Sequence, residues 1–93
     1  MMPPLPSMMM SAPSKDLFIY ARPLGWHEYD NNGDRVPVVI AVVDAVVGFN
    51  IFRLGEDCEY LNWLFSREDA IDWAVDKQRS EISYHELQQL ERD

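Results

Sequence analysis

The chain predicts an α+β fold: an antiparallel β-meander of three to five strands with one or two C-terminal helices packed on one face. Three observations carry this. Alternating and β-branched segments fill residues 17–65, Gly, Asn and Pro turn signals punctuate them, and helical periodicity is confined to the residues after Ser66. Strands first and helices last is the order of an α+β domain rather than of βαβ units.

Residues 1–15 are rich in Met, Pro and Ser, and all five methionines lie in the first ten positions. They read as a flexible tail, and residues 16–93 as a single α+β domain. "PPLP" within the tail is a minimal match to a polyproline ligand. "DLFIYARPLG" then alternates as a first strand that Pro23-Leu24-Gly25 ends, and "WHEYD" reads as a short second strand. "DNNGD" is a tight turn, because Asn32-Gly33 supplies the positive φ a hairpin needs. The segment from Val36 to Leu54 is β-branched and too long for one strand of up to about ten residues. It is expected to break near Asp44-Ala45, as a bulged strand or as two strands, with a short helix around Asp44 as the alternative. "CEYLNWLF" is the last strand, with Leu61, Trp63 and Phe65 on one face and Tyr60, Asn62 and Leu64 on the other. Two apolar faces suggest a central or well-covered strand.

Ser66 opens the helix "SREDAIDWAVDKQ", with Asp69 placed to close a capping box. Glu68 and Asp69 suit the N-terminal end of the helix dipole. Ala70, Ile71, Ala74, Val75 and Gln78 share the face that packs on the sheet. A second capping box, Ser83 to Glu86, is expected to start a short final helix with Tyr84, Leu87 and Leu90 as its apolar side.

Composition narrows the function classes. The formal net charge is −8. Residues 1–55 are nearly balanced, with five acids against four bases. Residues 56–93 carry eleven acids against four bases, a net −7. Direct nucleic-acid binding needs a basic face that releases counterions, and an anionic membrane surface needs the same, so neither is expected as a partner. The longest apolar run, Val36 to Phe49, is interrupted by Pro37, Asp44 and Gly48 and falls short of the roughly 20 residues of a spanning helix. The absence of a basic, apolar leader and the single cysteine point to a cytoplasmic, reducing location.

No motif names a catalytic chemistry. Cys58 lies among Glu56, Asp57 and Glu59, which disfavour a thiolate, and nothing in the sequence brings it to His27 or His85. His27, Glu28 and Asp30 are the nearest approach to a metal set, but strand alternation turns His27 away from the two acids. The Asp30 stretch fails as a calcium loop: counted from Asp30, Arg35 stands where Gly is required and Ala41 where Glu is required. The four glycines are isolated, so no phosphate loop exists. No cofactor, metal or catalytic residue is therefore expected.

What remains is one surface. Asp69, Asp72 and Asp76 recur at i, i+3 and i+7, within about 60° of one another on the helix face opposite Ile71 and Ala74, and span about 10 Å of axis. Glu68 extends the row and Trp73 borders it. Like charges at this spacing cost a few tenths of a kcal/mol per pair. The candidate partner-binding set is Glu68, Asp69, Asp72, Trp73 and Asp76: carboxylates standing where a basic partner meets phosphates. In size, acidity and lack of catalytic motifs the chain resembles, as a class and without a shared motif, the inhibitors that phages and other mobile elements use against host defence, such as anti-CRISPR proteins. That resemblance implies a small non-enzymatic nucleic-acid mimic that occludes the basic surface of a nucleic-acid-binding protein. The alternative is a structural or accessory module, a homodimer pairing through a sheet edge, for which the Val-rich segment is the candidate strand. A small enzyme or ligand carrier would instead place His27, His85 or Cys58 in a deep pocket.

Overall fold

The computed structural model describes residues 12–91. The chain forms a four-stranded antiparallel sheet followed by one C-terminal helix packed on it, the α+β meander expected. The strands are β1 (Phe18–Tyr29), β2 (Arg35–Asp44), β3 (Phe49–Leu54) and β4 (Cys58–Leu64), in the order β1-β2-β3-β4, and the helix α1 spans Arg67–Glu91. Most of the tail expected over residues 1–15, with its "PPLP" and its methionines, lies outside the described residues. A 3-10 turn, Lys15–Leu17, leads into β1, and the Asp16 amide donates to the Ser14 hydroxyl at 3.3 Å.

Four sequence expectations change in detail. First, "DLFIYARPLG" and "WHEYD" are one strand. Pro23 pairs with Val39 and His27 with Pro37, so Leu24, Gly25 and Trp26 loop out as a bulge opposite β2, with Gly25 at φ 100°. Pro23 donates nothing to the ladder, and β1 at the sheet edge tolerates that. Second, the Val-rich segment breaks after Asp44 into two strands, one of the expected alternatives, and what changes is its place in the sheet: β2 and β3 are joined by a turn at Gly48 with φ 74°. Both are central, so the Val-rich segment is not an open edge. Third, β4 is an edge strand rather than a central one. A bulge at Leu61 breaks its alternation: Ile51 pairs with Asn62 but Phe52 with Tyr60. Leu61 and Leu64 therefore pack toward the helix side, while Trp63 and Phe65 remain exposed. Fourth, α1 runs through Ser83 without a break. Residues 78–83 hold neither Gly nor Pro, so nothing stops the first helix and the Ser-x-x-Glu pattern at 83–86 is internal.

The core lies between the sheet and α1. Val38, Ile40 and Val42 of β2 and Ile51 of β3 meet Ala70 and Ala74 of the helix, all buried, with Leu24 from the β1 bulge closing one side. The two alanines bring the helix backbone close to the sheet. A second cluster, Ala41, Val43, Phe52 and Cys58, lies on the other face. No helix among the described residues is long and apolar enough to cross a membrane.

Two of the three hairpin turns give a paired test. Gly33 and Gly48 both have positive φ, but a Cβ at Gly33 would meet open space, whereas at Gly48 it would enter the Trp63 indole. The Gly33→Ala variant should lose about 1–2 kcal/mol in urea denaturation, from backbone conformation alone. Gly48→Ala should lose more, about 2–4 kcal/mol, because backbone strain adds to overpacking. Equal losses would show that Trp63 does not pack on that turn.

Candidate functional site

The acidic row stands on the outward side of α1. Ser66 caps the helix: its hydroxyl accepts from the Asp69 amide at 3.4 Å and its carbonyl from the Ala70 amide at 2.9 Å. The return bond that would complete the capping box, in which the Ser66 amide donates to the Asp69 carboxylate, is absent among the described residues. Ala70 and Ala74 face the sheet, so the rotation of the helix is fixed. That rotation leaves Glu68, Asp69, Asp72 and Asp76 exposed. Among the described residues, none of these four carboxylates takes part in an ion pair. Trp73, the fifth residue singled out in the sequence, is half-buried and packs against the core cluster rather than standing free beside the acids. A shallow depression of about 330 Å³ lies between Arg67, Glu68, Ile71 and Asp72.

The second half of α1 is held to the sheet by polar contacts that the sequence pattern does not reveal. Gln78 Nε2 donates to the Pro23 carbonyl at 3.0 Å, and the Tyr20 hydroxyl donates to Gln78 Oε1 at 3.4 Å. Arg53 donates from its two terminal nitrogens to Glu59 and Glu81, and Lys77 Nζ lies 3.8 Å from Glu81 Oε1. Partial burial works against the Arg53 charge, but hydrogen bonds and charge from Glu59 and Glu81 outweigh it and hold the guanidinium above its ordinary pKa. Glu81 Oε2 is buried and has no hydrogen-bond partner among the described residues.

These groups open onto a cleft of about 490 Å³ between helix and sheet, lined by Trp26, Arg53, Lys77, Glu81, Tyr84 and His85 among others. His85 stacks on Trp26 with ring centroids 4.3 Å apart and an interplanar angle of 12°. The cleft includes one of the three residues that mark an enzyme or carrier, His85, but not His27 or Cys58. Its two cations already share Glu81. The structure also separates the other candidates. Cys58 is buried in the cluster on the opposite sheet face, and that burial pushes its thiol pKa up. His27 meets Tyr29 edge-on. Glu28 accepts from the Glu56 amide at 2.9 Å, and Asp30 accepts from the amides of Asn32 and Asp34 at 2.9 Å each, which makes both turn-shaping groups. Among the described residues, no group of three or more His, Cys, Asp or Glu converges to hold a metal ion.

The Arg53–Glu81 contact generates a testable difference. Arg53→Leu should lower stability by about 1–3 kcal/mol, because it strands a largely buried carboxylate, discounted for an arginine about a third exposed. Adding Glu81→Leu should recover most of that loss, since an apolar pair can replace a buried ion pair at little cost. A double variant less stable than Arg53→Leu alone would refute the assignment.

In comparisons with protein-family models, curated proteins and solved structures, the chain matches none, so its own surfaces carry the functional reading.

Proposed function

We propose that this chain is a small, non-enzymatic binding protein that occludes the basic, nucleic-acid-binding surface of a partner protein. The observation that supports it most is the row Asp69, Asp72 and Asp76, exposed on a helix whose opposite side is committed to the core and without ion-pair partners among the described residues. A row of uncompensated carboxylates on a rigid element acts as a negative potential that steers a Lys- and Arg-lined groove onto it. Glu68 adds to the field, and Trp73 supports the row from beneath by packing on the core. The reading places the protein in the cytoplasm, facing a nucleic-acid-handling partner, with no direct contact to nucleic acid.

A second reading, an accessory module that pairs with its own copy, is favoured by β4. That strand is an open edge and exposes Tyr60 and Trp63, with Phe65, 72% accessible, just beyond its end. Edges of this kind invite strand addition. Self-association through β4 would be independent of the acidic helix and weakly dependent on salt, which separates the two readings.

Affinity capture from nuclease-treated host lysate tests the first reading. The tagged wild type should retain a nucleic-acid-handling protein at low salt and release it at high salt. The Asp69→Lys/Asp72→Lys/Asp76→Lys variant, folded by circular dichroism, should not capture it. Equal capture by both proteins would remove the acidic row from the interface.

A further inference from the structure

The end of α1 carries an exposed apolar pair that the fold does not use. Leu87 and Leu90, expected with Tyr84 as the apolar side of a separate final helix, are 58% and 71% accessible. Because α1 is continuous, their direction follows from the rotation that Ala70 and Ala74 set. At 3.6 residues per turn, Leu87 lies about five turns beyond Asp69 on the same line of the helix surface, and Leu90 stands in the same relation to Asp72. The leucines thus continue the outward acidic row. From Asp69 to Leu90 the stripe runs about 32 Å, and about 16 Å of axis separate Asp76 from Leu87.

We infer that the outward face of α1 is one docking stripe, acidic over its first half and apolar at its end, and that its partner is a groove lined with Lys and Arg that closes in an apolar notch. This rests on the reading above and adds the partner's shape and polarity. Charge complementarity selects the occupant. A second copy laid parallel along the stripe would set carboxylate against carboxylate, and laid antiparallel it would set carboxylates against leucines. An anionic membrane surface is repelled by the same row. A groove basic at one end and apolar at the other matches both halves, with the field setting the encounter rate and the leucines anchoring the complex.

Two synthetic helical peptides test this, each matching α1 in length. One has a face of lysines only, and the other has the same face with two leucines at one end. Titration calorimetry at low and high salt should show wild type binding the leucine-bearing peptide about tenfold or more tightly than the all-lysine one, as expected for part-burial of two leucine side chains. Leu87→Gln/Leu90→Gln should erase that preference and keep the salt-dependent binding. Asp69→Asn/Asp72→Asn/Asp76→Asn should weaken both peptides and flatten the salt dependence. If wild type binds both peptides equally with strong salt dependence, the apolar anchor is refuted while the acidic reading stands. If neither peptide binds at low salt, both fail. Sedimentation of wild type as a dimer that Leu87→Gln/Leu90→Gln dissociates would assign the leucines to a second copy and overturn the inference.

Discussion

Ala70 and Ala74, both buried against Ile40, Val42 and Ile51, set the seat of α1 on the sheet, and the rest of the molecule follows from it. A methyl group is the smallest side chain that still has a Cβ to pack, so the helix backbone lies close to the central strands. With two residues four apart pinned, the helix cannot rotate without burying a carboxylate or exposing the core. The side occupied by Asp69, Asp72 and Asp76 is therefore decided by the residues that pack on the sheet from the opposite side of the helix. Packing in the core is the cause of the electrostatic surface.

Further along, the seat changes character. Gln78 caps the Pro23 carbonyl, Glu81 takes Arg53, and His85 stacks on Trp26. All three use the β1 bulge or β3, so the irregular stretch Leu24-Gly25-Trp26 gives the second half of the helix something to hold. Polar contacts of this kind are individually worth little when partly solvated. Their role is positional: together with Ile82, which still packs on the core, they hold the second half of the 25-residue helix to the sheet. Leu87 and Leu90, on the outward line that the alanine seat sets, meet water. A domain in which the most charged element is also the longest, with one side fixed to the sheet, is suited to presenting that element.

Much of this is legible in the sequence alone. The helix start at Ser66, the Ala70/Ala74 inner face, the Asn32-Gly33 turn and the break near Asp44 all rest on local chemistry, and local chemistry is what a sequence displays. The fates of β1 and β4 are not local. Whether Pro23-Leu24-Gly25 ends a strand or bulges depends on β2 being long enough to pair on both sides of it. Whether β4 is central or an edge depends on sheet order, which alternation does not encode. Ser83-x-x-Glu86 misled because a capping box is a signal only where the preceding residues stop being helical. Of the candidate site, the four acids were placed on the outer face by periodicity alone. Trp73 was seen at the border of the row, but its half-burial depends on tertiary packing. The Trp26–His85 cleft had no signal, since it joins residues from a bulge and a helix far apart in the chain.

The central claim is that the acidic row serves a partner and not the fold. The urea stability of an Asp72→Ala/Asp76→Ala variant tests it most directly. Both substitutions improve helix propensity and remove like-charge repulsion, so the account predicts a gain of about 1 kcal/mol. A loss of stability of that size would mean that the carboxylates are structural, and the functional reading of α1 would not survive it.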